Sequence, residues 1–293
     1  MKKILVTGAT GNIGSKVVAE LQEQNASVRA FVRDEHKAKA MLGRSVELVT
    51  GEFGDKNTVQ RALENVHSVF LACSNDPRQV EYETNVIDAA LAAGVQRIVK
   101  LSALGAGVGS SVPFWDWHGR IERHLKASGI PFVILQPSFI MTNLLAAAEG
   151  IQQQGMLFAP AEDARISMIH PQDVATSAAV ALTSEDHNGK TYMLTGLEVI
   201  TYEQVAKELS SATGQHIPFV AVPDEAATQA MVASGLPIFV AGQIVTVFKA
   251  LRGGAYNQTS NSVQMLTGYA PRSFAQFALE HAHVFQQKLQ PTH

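Results

Sequence analysis

The chain has 293 residues, 46% of them hydrophobic, and a formal net charge of −3. This is enough apolar material for one large domain or a domain with a small appendage. The charge argues against nucleic acid held by a generally basic surface through many phosphate contacts, and leaves a local basic pocket open. A lone cysteine, Cys73, excludes an internal disulfide, and no Cys/His cluster has zinc spacing, so no metal site is expected.

The first residues, "MKKILVTGATG", offer only Ile4 to Val6 as an apolar run before the glycines begin. That is too short for the apolar region of a signal peptide, and no apolar run reaches membrane-spanning length. The expectation is a cytoplasmic protein without a membrane span. Strands and helices then alternate. "ILVTG" (4–8) is a strand, followed by a helix with Ile13, Val17, Val18 and Leu21 on one face. "VRAFV" (28–32) is followed by the charged helix "DEHKAKAML", and "VELVT" (46–50) by "NTVQRALENV". "SVFLA" (68–72) precedes the long helix "QVEYETNVIDAALAAG", and "RIVKLS" (97–102) precedes "WDWHGRIERHLKASG". "PFVILQP" (131–137) is the sixth strand. This rhythm predicts an α/β fold of Rossmann type: a doubly wound parallel sheet with its ligand crevice at the C-terminal strand ends.

After about Gly155 the rhythm loosens. "ARISMIH" and "TYMLTG" read as strands around a helix "PQDVATSAAVAL", and "TYEQVAKELSSATG" reads as a helix capped by Thr201 and closed by Gly214. "IPFVAV" is a further strand, and the remainder reads as mostly helical. The division expected is a dinucleotide-binding domain over 1–155 and a smaller substrate-covering lobe over 156–293, with some segments returning to the first domain. One continuous domain with decorations is the alternative. "MVASGLPIFVAGQIVTVFKALRGG" is apolar at helical spacing. It serves as core, walls a substrate pocket, or packs against a second copy in a homodimer.

The loop "TGATGNIG" places Gly8, Gly11 and Gly14 between the first strand and the first helix, with Thr10, Asn12 and Ile13 among them. Gly8 permits the tight turn, Gly11 lets the backbone approach a pyrophosphate, and Gly14 lets the helix pack closely on the sheet. The helix N-terminus adds N–H groups and a partial positive charge. At the end of the second strand, where an NAD site would carry a carboxylate for the ribose hydroxyls, stands Arg33, with Lys37 and Lys39 behind it. A guanidinium binds an adenosine 2′-phosphate with a charge-assisted fork, so the cofactor expected is NADP(H). The competing reading turns Asp34 inward to take the ribose. Lys37 and Lys39 suit a solvated turn.

In "TGEFGD", Glu52 and Phe53 belong beside the adenine, and Asp55 reads as a helix cap. In "LACSND", Ala72, Cys73 and Ser74 should pass near the ribose and nicotinamide, Cys73 as a small packing residue rather than a nucleophile. Asp173 in "HPQDVA" reads as a helix-start cap rather than a base. Both tryptophans of the chain fall in "PFWDWHGRIERHL" (113–125), which follows the loop "GAGVGSSV", read as flexible. Trp115 and Trp117, two apart, cannot share one helix face. A helix starting near Asp116 would turn one indole to the pocket and the other outward; packing of both is the bland alternative.

Together, "TGATGNIG", "FVRD", "NVIDAALAAGVQRIVKLSA", "HGRIERHLKASGIPFVILQPSFIMTN" and "GKTYMLTG" resemble, in order and over almost the whole chain, the NmrA-like branch of the atypical short-chain dehydrogenase/reductases. The resemblance is nearest to the type that includes NADPH–quinone oxidoreductases and triphenylmethane reductases. It implies that Ser102 stands near the place of the superfamily's catalytic serine. Aligned through Glu122, Phe114 takes the position of the proton-donating tyrosine and His118 that of the lysine. Phe114 has no proton to give, which departs from ordinary alcohol oxidation. Gln136 replaces the family's arginine before Pro137.

Two functions follow. The first is an NADPH-dependent oxidoreductase that passes a hydride to a quinone or other electron-poor aromatic small molecule. Its nicotinamide would lie near Ser102, His118, Pro137 and Phe139, and Phe114, Trp115, Trp117 and Phe139 would line the substrate. His118 then donates a proton, fixes the nicotinamide ribose, or only bonds near a helix start. The second is a non-catalytic NADP(H) sensor.

Overall fold

The computed structural model describes residues 2–286; the last residues of the expected C-terminal helical stretch, 287–293, lie outside them. The strands are β1 (Lys3–Val6), β2 (Ser27–Val32), β3 (Glu47–Thr50), β4 (Ser68–Leu71), β5 (Arg97–Leu101), β6 (Phe132–Pro137), β7 (Leu157–Ala159), β8 (Lys190–Leu194) and β9 (Phe219–Ala221). The helices are α1 (Asn12–Glu23), α2 (Glu35–Leu42), α3 (Lys56–Leu63), α4 (Gln79–Ala92), α5 (Pro113–Ala127), α6 (Ala148–Gln154), α7 (Pro171–Thr183), α8 (Tyr202–Thr213), α9 (Asp224–Ala233), α10 (Ile238–Arg252), α11 (Ser262–Thr267), α12 (Phe274–Glu280) and α13 (Ala282–Phe285).

The chain divides into two units. The first takes Met1–Pro137, Pro171–Leu194 and Ser262–Tyr269. Its seven strands form one parallel sheet in the order β3-β2-β1-β4-β5-β6-β8, the doubly wound α/β arrangement. Because β1 to β6 are joined through helices, right-handed crossovers place those helices on both faces. One face carries Leu5, Val69, Leu71, Ile98 and Ile134 against Val86 and Ile87 of α4 and Ile121 and Leu125 of α5. Each fully buried aliphatic side chain contributes roughly 1.5–3 kcal/mol. On the other face α1 packs against α7. The buried alanines 175, 178, 179 and 181 of α7 permit close approach. Strand order reverses between β1 and β4, so the crevice at their C-terminal ends is the topological switch point where such sheets bind ligands.

The second unit takes Ser138–His170, Thr195–Asn261 and Ala270–His293. It holds a 3-10 helix over Met141–Ala147, α6, a two-stranded parallel sheet of β7 and β9, and α8–α10, α12 and α13. Tyr202 is buried between Phe219 and Phe248, with ring centroids 5.6 and 5.9 Å away. α8 has the expected ends: a capping box between Thr201 and Gln204, and Gly214 at φ 71° in the left-handed region that glycine favours. "ARISMIH" is not a strand. It makes only single bridges, Ile166 to Ile200 and Ile140 to Ile169, and Ser167 N–H donates to the Tyr256 carbonyl at 2.8 Å. Ile166, Ser167, Met168 and Ile169 are all buried. The apolar alternation is met by burial without a continuous ladder.

Candidate functional site

The loop between β1 and α1 is built by three glycines with separate tasks. Gly8 has φ 61°, and its carbonyl accepts from Gly11 N–H at 2.9 Å. A Cβ on Gly14 would lie 2.1 Å from the Gly8 carbonyl oxygen, a backbone atom that cannot swing away. Gly11 is exposed and is the N-cap of α1, with no side-chain cap and no acidic residue in the first turn. The positive end of the helix is therefore not neutralised by its own sequence. Thr7 ties this turn to the end of β4: its Oγ1 accepts from Ala72 N–H at 2.9 Å and lies 2.9 Å from the Ala72 carbonyl. The backbone cradle, the open helix terminus and the switch point fit a dinucleotide pyrophosphate. Thr10 and Asn12 are at least partly exposed, while Ile13 is buried under the helix.

At the end of β2, Arg33 is exposed and has no ion-pair partner among the described residues. Asp34 is the N-cap of α2 and accepts from Lys37 N–H at 2.9 Å. The competing reading of Asp34 as a ribose ligand therefore meets a carboxylate already engaged. Asp55 caps α3, accepting from Asn57 and Thr58 N–H. Phe53 is half-buried, edge-on to Phe31 at 5.7 Å and stacked on Tyr82 at 6.1 Å; Glu52 is exposed. After β4, Ala72 is buried, Cys73 half-buried and Ser74 exposed. Burial, helped by the Glu83 carboxylate, pushes the Cys73 thiol up to about 12. It is not a thiolate at neutral pH.

β5 and α5 hold a connected group of buried polar side chains. Ser102, just past β5, donates from Oγ to Glu122 Oε1 at 2.6 Å. Gln136 Nε2 donates to the same oxygen at 2.8 Å, and Lys126 Nζ lies 3.3 Å from Oε2. The neutral Gln136 thus fills a donor place without adding a second charge. One turn before Glu122, His118 is buried, and its Nδ1 lies 3.2 Å from Lys100 Nζ. Lys100 is fully buried and paired with the equally buried Glu83, Nζ to Oε2 at 2.9 Å. It also donates to Glu83 Oε1 at 3.3 Å and to the Leu101 carbonyl. With His118 Nδ1, the Glu83 carboxylate and this carbonyl give the three donors of the ammonium three acceptor groups. Gln79 Nε2 donates to Glu83 Oε1 at 2.9 Å. Burial raises the Glu83 carboxyl above its usual range, opposed by Lys100. Burial, and then the Lys100 charge, hold His118 well below the usual histidine range, so its ring is neutral. Lys100 offers only donors, so Nδ1 is the acceptor and the ring proton sits on Nε2.

α5 begins at Pro113, not near Asp116, with Val112 as N-cap; proline at the first helical position suits its fixed φ. Phe114, Trp115 and Trp117 are therefore all helical. Trp115 is buried, lying under Gly105, whose added Cβ would meet its ring at 2.9 Å. Trp117 is half-buried and edge-on to Phe114 at 5.4 Å. The preceding loop, expected to be flexible, is fastened to the helix start. Gly107 N–H donates to the Trp115 carbonyl at 3.1 Å and Gly109 N–H to Asp116 Oδ1 at 2.8 Å. Gly119 allows this, since a Cβ there would lie 2.4 Å from the Gly107 carbonyl carbon.

Pro137 is buried at the end of β6, and its carbonyl accepts from Leu104 N–H at 2.8 Å. Phe139 belongs to the second unit, where its carbonyl accepts from Ile169 N–H at 2.9 Å. Asp173 is buried in the first turn of α7. Sequence reasoning missed Lys100, Glu83 and Thr7. The signal for Lys100 was present: a charged residue inside a strand of a sheet covered on both faces requires a buried partner. Among the described residues no helix is long and apolar enough to cross a membrane, and no His/Cys/Asp/Glu group is arranged to hold a metal.

The chain belongs to the NmrA-like family, whose pattern matches residues 1–278. It is 34% identical over 282 residues to an NAD(P)H azoreductase of Xenophilus azovorans, covering 96% of this chain and 99% of that protein. It is 35% identical over 283 residues to a (4-alkanoyl-5-oxo-2,5-dihydrofuran-3-yl)methyl phosphate reductase of Streptomyces griseus, covering 96% and 99%. Among solved structures, an NADPH-dependent quinone oxidoreductase of Escherichia coli, complexed with NADPH, superimposes with TM-score 0.87 at 28% identity, covering 97% of this chain and 100% of that one.

Proposed function

We propose that this chain is an NADPH-dependent reductase that passes a hydride to a quinone or another electron-poor aromatic acceptor. The observation that carries the reading is the glycine cradle: Gly14 packed on the Gly8 carbonyl, with the uncapped start of α1 above it. In this reading Gly8, Thr10, Gly11, Asn12, Ile13 and Gly14 hold the pyrophosphate, and Glu52 and Phe53 flank the adenine. Ala72, Cys73, Ser74, Ser102 and Pro137 line the ribose and nicotinamide. A bound reduced nicotinamide supplies the hydride. His118 offers Nε2–H, which has no hydrogen-bond partner among the described residues, to an acceptor oxygen or nitrogen that becomes negative. Phe114 and Trp117 give aromatic faces suited to a flat acceptor. The reductase relatives support this class of chemistry.

Arg33, exposed and unpaired, selects the 2′-phosphate. Calorimetric titration tests this. Charged hydrogen bonds of this kind are worth about 1.5–3 kcal/mol, so NADPH should bind roughly 10- to 100-fold more tightly than NADH. Arg33→Ala should abolish the difference. Equal affinity of the unsubstituted protein for both cofactors would contradict the assignment. A second reading, an NADP(H) sensor without chemistry, is favoured by Phe114 at the tyrosine position. It predicts NADPH binding with no acceptor reduced.

A further inference from the structure

The reductase reading leaves one requirement open. A quinone that has gained a hydride is a hydroquinone monoanion, one proton short. The familiar sources at this site do not supply it. Phe114 has no acidic hydrogen. Ser102 commits its hydroxyl proton to Glu122 at 2.6 Å, and Gln136 is likewise turned to Glu122. The Cys73 thiol is held too weakly acidic by burial. His118 is neutral and carries a single ring proton.

Behind His118 stands a buried cation. Lys100 Nζ is 3.2 Å from Nδ1 and is enclosed by Glu83 and the Leu101 carbonyl, with the lysine and glutamate side chains both fully buried. An imidazole can give up a proton at one nitrogen while taking one at the other, remaining neutral throughout.

We infer that Lys100 is the proton reservoir of this site and that the His118 ring relays its proton to the reduced acceptor; the inference rests on the reductase reading. As the hydroquinone oxyanion takes the Nε2 proton, Nδ1 takes one from Lys100 Nζ. The N–H bond at Nε2 breaks, one forms at Nδ1, and Lys100 becomes a neutral amine. The negative charge on the acceptor and the positive charge on lysine disappear together. After product leaves, the reverse passage restores the ammonium, from water to Nε2 and from Nδ1 back to Nζ. Glu83 is a positioning residue: it anchors the ammonium, and Gln79 in turn donates to Glu83. Lys100 acts through His118, so its side chain need not touch the substrate.

The test uses the full chain and the double variant Lys100→Met/Glu83→Gln. Lys100→Met alone strands a buried carboxylate; the second change removes that charge and keeps an oxygen for Gln79. The first readout needs no acceptor. Nitrogen NMR of histidine-labelled protein, with His118 assigned from His118→Gln, should show Nε2 protonated and Nδ1 hydrogen-bonded. In the double variant the Nδ1 signal should move to that of a free acceptor nitrogen. A proton found on Nδ1 in the unsubstituted protein overturns the relay.

The second readout compares two acceptors at one site. A quinone needs hydride and a proton; a cationic triphenylmethane dye needs hydride alone. In the double variant quinone kcat should fall by about 10²-fold, the scale of a lost acid–base step, with NADPH affinity retained. The dye rate should fall far less. Equal losses with both acceptors would show a merely structural role and overturn the relay, as would unchanged quinone turnover. If the unsubstituted protein oxidises NADPH with neither acceptor, the reductase reading itself fails and the relay falls with it.

Discussion

Lys100 Nζ lies 3.2 Å from His118 Nδ1, joining the middle of β5 to the second turn of α5. The contact decides which nitrogen of a buried ring carries the proton, and it adds to burial, the larger cause, in keeping that ring neutral. It has a consequence for stability. The folded His118 resists protonation, while the unfolded ring takes a proton near pH 6.5. The contribution of His118 is therefore present above about pH 6.5 and is lost as pH falls towards and through the folded value. Urea unfolding of the parent and His118→Gln should show this. The parent should lose stability faster on acidification, by up to roughly 1.4 kcal/mol for each unit of depression. Parallel pH profiles for the two proteins would show that His118 titrates freely.

The glycine loop makes two substitutions behave differently. Gly14→Ala puts a Cβ against the Gly8 backbone. It should destabilise the fold by about 1–3 kcal/mol, the usual range for overpacking, and weaken dinucleotide binding with it. Gly11 is exposed, and its Cβ would meet only the Gly8 carbonyl at 3.1 Å. Gly11→Val should melt close to the parent and yet bind no NADPH by calorimetry. A folded Gly11→Val that binds normally would place the cofactor elsewhere.

Cys73 is the single thiol of the chain, so its reactivity can be read without interference. With the thiol raised to about 12 by burial and by Glu83, alkylation by iodoacetamide at neutral pH should be much slower in the folded protein than in urea. Cys73→Ala should retain activity. Fast alkylation of the native protein accompanied by inactivation would make Cys73 a participant in the chemistry.

The two indoles should report differently on an acceptor. Trp115 is buried beneath Gly105, whereas Trp117 is half-buried beside Phe114. Quinone quenching of tryptophan fluorescence in the NADPH-bound protein should persist in Trp115→Phe and largely vanish in Trp117→Phe. Quenching that follows Trp115 instead would mean that the Phe114–Trp117 pair does not face the acceptor.

The sheet was legible because β1 to β6 are short runs rich in apolar and β-branched residues that alternate with helical patterns and end in glycine- or polar-rich turns, and the first turn carries glycines at 8, 11 and 14 between a strand and a helix. The helix caps Asp55 and Thr201 were legible for the same local reason. What escaped was non-local. Lys100 reads in "RIVKLS" as an ordinary polar strand position until both faces of β5 are known to be covered. Glu83 reads as the solvent face of α4 until Lys100 is found against it. The loop 105–112 looked flexible from its glycines, yet those glycines are what let it lie against Trp115 and Gly119. "ARISMIH" has the alternation of a strand but finds only single bridges, because pairing depends on the neighbouring segments as well as on its own pattern.

In the proposed reading a bound NADPH is spent on an acceptor. The most direct measurement follows the loss of reduced-nicotinamide absorbance with a panel of quinones and azo dyes, using the parent, Gly11→Val and His118→Ala. The parent should consume NADPH with at least one acceptor, Gly11→Val should consume none, and His118→Ala should lose turnover far more than NADPH affinity. Tight NADPH binding with no acceptor reduced would contradict it and leave the sensor in its place.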